Sequence, residues 1–231
     1  MSRKLTKNRK KILEKISNKK YSLEEAVLLI KEVTFVKFDA SIDISVHLGI
    51  DVRLPNQMVR GTVKLPHGTG KNVCILALVD KEKESESKEA GADYVGLDYI
   101  EKIKSGWTNV DIIVATPSIM NQLGTIGKIL GPKGLMPNPK MDTVSKNPGK
   151  SIKEIKSGRI SFKADRYGIV HASIGRVSFS NQYLLNNIKE FMMTIIRNKP
   201  STSKGVYIKS IHLSATMSNS IPLDSKSFLN T

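Results

Sequence analysis

Cysteine is nearly absent from this chain. Cys74 stands alone, so no internal disulfide can form, and its place in the apolar run Val73–Val79 predicts a buried core thiol in a reducing compartment. The four histidines, His47, His67, His171 and His212, are widely separated, and none has a Cys or carboxylate at metal-ligand spacing, which argues against zinc. No apolar run approaches the ~20 residues that span a bilayer, and no signal peptide is visible, so a soluble, intracellular protein with no membrane partner is expected. Catalytic signatures are missing too, with no G-x-S-x-G elbow and no H-E-x-x-H. The segment His67–Lys71 looks like the tail of a phosphate-binding loop. Leu65 and Asn72, however, stand where Gly and a hydroxyl are required, and a strand follows where a helix is needed.

What is abundant is positive charge. Lys and Arg number 37 against 21 acidic residues, a net +16, and the excess is unevenly placed. Residues 68–158 hold 13 basic and 11 acidic side chains, so the two outer segments carry +14. Brought together in space, those segments form a positive body whose natural partner is a polyanion, nucleic acid first, because bound phosphates release their condensed counterions. Residues 1–20 alone carry nine basic side chains against Glu14, with Leu5, Ile12, Leu13 and Ile16 at roughly helical spacing. Such an arm also fits a solvated tail or a transit peptide, although Glu14 and the scarcity of Ser and Arg speak against the latter.

The chain changes character along its length. Its middle alternates strand and helix: Val73–Val79 reads as a strand buried on both faces, Lys81–Ala90 as a helix, Tyr94–Val95 as a short strand, Leu97–Lys104 as a helix and Val110–Ala115 as a strand. This is a βαβ-type unit with a parallel sheet. The outer parts differ. A helix is predicted over Ser22–Val36, with Ser22 as N-cap and Glu25 completing a capping box. Half-buried strands follow at Ile42–Leu48, Val59–Leu65, Ile160–Ala164 and Val170–Ile174, the last two joined as a hairpin across Asp165–Gly168. A helix over Asn181–Arg197 and a strand over Val206–Thr216 complete a discontinuous α+β domain, an antiparallel sheet with helices on one face. Residues 1–67 plus 159–231 are thus expected to form one domain and residues 68–158 an insert. Pro66, Gly68, Ser157 and Gly158 lie at the two crossings and are the predicted hinge residues.

Two further features allow two readings each. The segment Gly124–Lys140 has glycines at non-Rossmann spacing and three lysines, and reads either as a phosphate contact or as a loop of tight Gly and Pro turns. Asp80, Asp93 and Asp111 near strand ends read as a carboxylate cluster or as caps and turn residues.

At Gly49–Asp51, Gln57–Val63, Leu65–Lys71, Ala90–Gly96 and Gly124–Lys140 the chain resembles the bacterial L-one family of large-subunit ribosomal proteins, and the match runs from the N-terminal arm through Thr216-Met217. The resemblance implies a two-lobe fold, the α+β lobe carrying a Rossmann-like three-layer α/β insert. It implies binding to the 23S rRNA of the mobile stalk at the tRNA exit site, help in releasing deacylated tRNA, and repression of the protein's own operon mRNA. The family's RNA surface maps onto Lys37, Phe38, Thr216, Met217 and Ser218, with Ser41, Arg53, Arg60, Lys163, Arg166 and His171 as supporting contacts. Those residue types suit RNA. Lys neutralises phosphate, Phe and Met offer apolar surface to a ribose or base, and Thr exchanges hydrogen bonds with a 2′-OH. By residue type alone, Phe38 and Met217 read instead as core residues. The family usually has Gly where Ser218 stands. If that position requires positive φ, Ser218 costs roughly 1 kcal/mol of strain. Val52 and Asn56 also differ from the commonest family residues.

The implied protein is non-enzymatic, needs no cofactor or metal, is monomeric in isolation, and works on the ribosome in the cytoplasm, with an organelle stroma or matrix left open. A nucleotide-dependent enzyme sited in the insert is the competing class, and a general basic scaffold or DNA-binding module the third.

Overall fold

The computed structural model describes residues 6–17 and 19–228; Arg3, Lys4 and Leu5 of the basic arm lie outside the described residues. The chain opens with α1 (Lys7–Lys15), α2 (Leu23–Val33), β1 (Ser41–Leu48) and β2 (Arg60–Lys64). Then come β3 (Ile75–Leu78), α3 (Glu84–Glu89), β4 (Tyr94–Val95), α4 (Tyr99–Lys104), β5 (Ile112–Ala115), α5 (Met120–Gly124), α6 (Gly127–Leu130) and α7 (Pro148–Lys156). It closes with β6 (Arg159–Lys163), β7 (Ile169–Arg176), α8 (Asn181–Arg197), β8 (Ile208–Ala215) and β9 (Ile221–Leu223). This is a protein of helices with both antiparallel and parallel sheets, and it packs as two compact units: Met1–Gly70 with Phe162–Thr231, and Lys71–Ser161.

In the first unit four antiparallel strands run in the order β7-β1-β8-β9, and β2 pairs with β6 in a separate ribbon. Strict alternation in β1 buries Ile42, Ile44, Val46 and Leu48 and leaves Ser41, Asp43, Ser45 and His47 on the other face. α2 packs on β8 and β9, while α8 packs on β7 and β2. The Ser22 hydroxyl accepts from Glu25 N–H as the capping pattern requires, but α2 ends at Val33, three residues short of the expected Val36, where Thr34 N–H closes on Ile30 O. Inside, Phe191 meets Phe162 edge to face at 5.6 Å.

Asn187 is the fully buried polar group of α8, and its bonds are all internal. Its amide donates to Gly68 O at 2.9 Å and Ile174 O at 2.8 Å, and its Oδ1 accepts from His67 N–H at 3.1 Å. His67 also stacks on Tyr183, with ring centroids 3.9 Å apart. The segment after β2 is therefore pinned to α8.

The Asp165–Gly168 turn departs from expectation. Its local bonds are those of a hairpin, Asp165 N–H to Ile169 O and Gly168 N–H to Asp165 O, and one bridge joins Ala164 to Val170. Beyond that bridge the strands part, β6 to β2 and β7 to β1, because each finds its longer partner far away in sequence. The edge strand β9, which pairs with β8, has no counterpart in the sequence reading.

In the second unit β3 lies between β4 and β5, all parallel. Every residue of β3 is buried, as a sheet covered on both faces demands. Leu76 and Leu78 face Ile100, Ile103, Leu123, Ile126 and Leu130 of the α4–α6 region, while Ile75, Ala77 and Val79 face Ala90, Ile152 and Ile155. The segment Gly124–Lys140 is part helix and part loop: its first part is helical, with Ile126 and Leu130 in the core, and tight turns follow from Gly131, with Gly134 at φ 70°. Cys74 is a correction as well: it precedes β3, is half-exposed rather than buried, and donates weakly to Asn109 O at 3.8 Å.

Candidate nucleic-acid interface

The first strand begins beside the end of β8, and Lys37, Phe38, Ser41, Thr216, Met217 and Ser218 lie at this end of the sheet. Thr216 donates both its N–H (3.0 Å) and its hydroxyl (3.3 Å) to Ser41 O. Its neighbour Met217 occupies the left-handed region at φ 66°, inside a turn closed by Ser218 N–H on Ala215 O at 2.9 Å. Approaching from α2, the chain is fixed just after Phe38. The Asp39 carboxylate accepts from Ser178 N–H (3.1 Å) and hydroxyl (2.8 Å), and Ala40 O accepts from Val177 N–H. With both segments held, Phe38 is 57% exposed and Met217 75% exposed. The core-packing alternative for this pair is thereby excluded, since neither is buried. Lys37 is exposed next to Phe38.

Ser218 corrects the sequence expectation. Its φ is not positive; the strained backbone sits one residue earlier, at Met217. The Ser218 hydroxyl is instead a buried oxygen without a hydrogen-bond partner among the described residues. That is its cost.

Along the sheet face away from the buried residues of β1, register sets His171 of β7, Ser45 of β1 and His212 of β8 side by side. Ser45 Oγ and His171 Nδ1 are 3.0 Å apart, and His171 Nε2 lies 3.6 Å from Asp165 Oδ2. Partial burial raises the Asp165 carboxyl, but the N–H groups of Ile169 and Tyr167 and the His171 ring outweigh this and hold it below the ordinary value. Asp43, Ser45, His47 and His212 join His171 on this polar face. Alternation within β1 already puts Asp43 and Ser45 on this face; what the sequence does not show is that strand register sets Ser45 between His171 and His212.

At the far end of β1, about 25 Å from Ser41 by strand rise, lie other candidates. Arg53 is exposed in a loop shaped by Arg53 N–H to Asp51 Oδ1 (3.0 Å) and Asp51 N–H to Gln57 Oε1 (2.8 Å). Gly49 is required there, since a Cβ would come within 2.2 Å of Val206 O. Arg166 is exposed on the turn beside Tyr167, which is 80% exposed. A recess of about 610 Å³ between the Arg53 loop and the segment before β8 is lined by Leu54, Val206, Lys204 and Lys209 among others. Arg60 on β2 and Lys163 on β6 belong to the separate ribbon. The candidates thus fall into two ends of one sheet plus a ribbon, not into one cluster.

The chemistry elsewhere is structural. Asp111 accepts from Lys71 Nζ (2.6 Å) and Cys74 N–H (3.0 Å), and the bond to Lys71, followed by that to Cys74, lowers its carboxyl pKa. Asp93 accepts from Ile75 N–H, and Asp80 from the Ser118 hydroxyl at 2.7 Å. The three aspartates cap and brace separate strand ends. Burial, then Asp93 and Asp111, push the Cys74 thiol up, the reverse of an activated nucleophile. Among the described residues no group of three His, Cys, Asp or Glu side chains converges as a metal site, and no helix is long and apolar enough to cross a membrane.

Comparison with known proteins identifies the family. The family model described as "Ribosomal protein L1p/L10e family" matches residues 29–219. The chain is 59% identical over 225 residues to the "Large ribosomal subunit protein uL1" of Phocaeicola vulgatus, covering 96% of this chain and 97% of the relative. It is 58% identical to the protein of that name from Flavobacterium psychrophilum, covering 96% and 98%. It is 57% identical to that of Porphyromonas gingivalis, covering 96% and 97%. The chain therefore belongs to the ribosomal protein L1p/L10e family, whose members are structural components of the ribosome and not enzymes.

Proposed function

We propose that the protein is a structural constituent of the large ribosomal subunit that binds the mobile-stalk region of 23S rRNA through its antiparallel-sheet unit. The observation that carries this reading is the shared sheet end, where Ser41 and Thr216 are hydrogen-bonded while Phe38, Met217 and Lys37 stand exposed around them. Thr216 spends its hydroxyl proton on Ser41 O, so its oxygen lone pairs face outward as acceptors for a 2′-OH, the group that separates RNA from DNA. Phe38 and Met217 supply apolar surface for a base or ribose, and Lys37 a phosphate contact. Ser218 beside Met217 and His171 along the polar sheet face extend this contact, and Arg60 and Lys163 support it from the separate β2–β6 ribbon.

At the opposite end, Arg53 and Arg166, with the exposed Tyr167 and Val206 beside them, form a second basic and apolar surface. It suits a further segment of the same rRNA, with Arg53 and Arg166 as supporting contacts, and on the ribosome the protein assists the departure of exit-site tRNA. The first surface also serves repression of the operon mRNA. The architecture we assign is a discontinuous α+β domain, residues 1–67 plus 159–231, with a Rossmann-like three-layer insert over 68–158. The insert pivots at Pro66, Gly68, Ser157 and Gly158; Gly68 (φ 63°) and Gly158 (φ 101°) hold backbone conformations that side chains disfavour. The free protein is a monomer, and it acts in the cytoplasm on the ribosome.

The test is binding to a stalk fragment of 23S rRNA beside an unrelated RNA hairpin and a matching DNA hairpin, across a salt series. A preference of ~10³ that persists as salt rises, and that falls in Phe38→Ala, supports the reading. Equal binding of all three ligands would leave only nonspecific polyanion attraction.

A further inference from the structure

The most one-sided charge on a defined element lies on α1, which contains none of the residues assigned above. Lys7, Lys11 and Lys15 recur at every fourth position, one ridge with about 6 Å of axial rise between charges. Arg9 and Lys10 flank it, all five side chains are exposed, and none is within ion-pair distance of an acid among the described residues. Like charges at i and i+4 work against a helix, and the single acid Glu14 offsets little of this. The helix is nevertheless fixed. Thr6 caps its start, Ile12 is buried, and Ser17 just beyond its end bonds the Tyr21 hydroxyl through N–H and Oγ, both at 2.8 Å. Tyr21 in turn donates its N–H to Pro222 O in the edge strand. A self-repelling row of cations held on a rigid mount is a surface whose repulsion only a polyanion relieves.

We propose that α1 is a separate, sequence-independent phosphate-binding clamp for RNA, adding affinity and encounter rate to the sheet-end contact without adding discrimination. It rests on the RNA-binding reading above. Membrane is the other polyanionic surface, and the packing speaks against it: a membrane helix needs its whole apolar face free, whereas Ile12 is buried and Ile16 half-buried, leaving Leu13 as the one exposed apolar side chain of this face among the described residues.

The test uses the full chain and the triple variant Lys7→Gln, Lys11→Gln, Lys15→Gln, with the stalk rRNA fragment and an unrelated RNA hairpin titrated over a salt series. Each neutralised phosphate contributes roughly 0.7–0.9 to the slope of log affinity against log salt. The variant is therefore expected to bind both RNAs with a slope shallower by about 2, and with the ratio between them unchanged. Glu14→Gln keeps every cation and provides a check should the triple variant fold poorly; it is expected to tighten both RNAs equally. An unaltered slope in the triple variant overturns the inference. So does loss of binding to phosphatidylglycerol vesicles while the RNA slope stays that of the unsubstituted chain, which would assign α1 to membrane. If the unsubstituted chain shows no preference for the stalk fragment but the variant's slope still falls on both RNAs, the stalk reading fails and the clamp stands.

Discussion

Thr216 gives two hydrogen bonds, N–H and hydroxyl, to the one carbonyl of Ser41. The contact ties the end of β8 to the start of β1 and fixes which atoms of Thr216 remain for a ligand. Thr216→Val keeps the N–H bond and the side-chain shape but removes the oxygen. We expect stability in urea denaturation to be lowered by no more than about 1 kcal/mol, the worth of one modest hydrogen bond. The affinity for stalk rRNA is expected to fall about tenfold, ~1.4 kcal/mol. Equal affinity of Val and Thr proteins, measured by filter binding, would remove the 2′-OH role.

Met217 holds a left-handed backbone that a side chain pays for, while 75% of it is exposed. The turn closed by Ser218 N–H on Ala215 O imposes this φ, and a glycine would adopt it without strain, so the exposed side chain is kept for something other than packing. In Met217→Gly the strain disappears, and the protein should gain roughly 1 kcal/mol in stability while binding stalk rRNA more weakly. Chemical denaturation and RNA titration of the same preparation would decide the matter. Reduced stability, or affinity that rises with stability, would contradict it.

Why some of this was legible in the chain and some not is a matter of range. The helix Asn181–Arg197 and the alternation of Ile42–Leu48 are local periodicities, and the structure contains both. Ser22 capping is likewise local. The Asp165–Gly168 turn is the opposite case: its chemistry is that of a hairpin, but β6 and β7 are claimed by β2 and β1 from far along the chain. Residue type favours burying Phe38 and Met217, and only the anchoring of Asp39 by Ser178 and of Thr216 by Ser41 turns them outward. The same anchoring sets the register of the last turn, which is why the positive φ falls on Met217 and not on Ser218. The Ser45–His171 pair was invisible for a related reason, being made by two strands whose pairing spans more than a hundred residues.

Asn187 satisfies three backbone groups from the fully buried face of α8, His67 N–H and the carbonyls of Gly68 and Ile174. Asn187→Leu removes this partner from all three, of which the bond to Ile174 O is buried and those to His67 N–H and Gly68 O are partly so. An orphaned buried group costs ~1–3 kcal/mol, so we expect a loss of about 1–3 kcal/mol in urea denaturation and faster amide exchange at His67. Exchange at Ile42 and Ile44, deep in the sheet, should be affected only through the global stability. A variant as stable as the unsubstituted chain would mean that the His67–Gly68 segment is held by the His67–Tyr183 stack rather than by Asn187.

Tyr207 gives the protein an alkaline limit that can be calculated in sign. Burial pushes its hydroxyl up to about 12, and that hydroxyl donates to Ile195 O at 3.1 Å. In the unfolded chain the group titrates near 10, so between pH 10 and about 12 the folded state retains a proton the unfolded state has lost. Stability must fall as pH rises through that window and is unaffected by this group below it. Tyr207→Phe cannot titrate. Below pH 10 it should be less stable by about 1 kcal/mol for the lost hydrogen bond, and the gap should close as pH climbs, because only the tyrosine form loses stability there. A gap of constant size up to pH 12 would mean that the folded and unfolded chains ionise Tyr207 together, and that the hydroxyl is open to solvent in the native state.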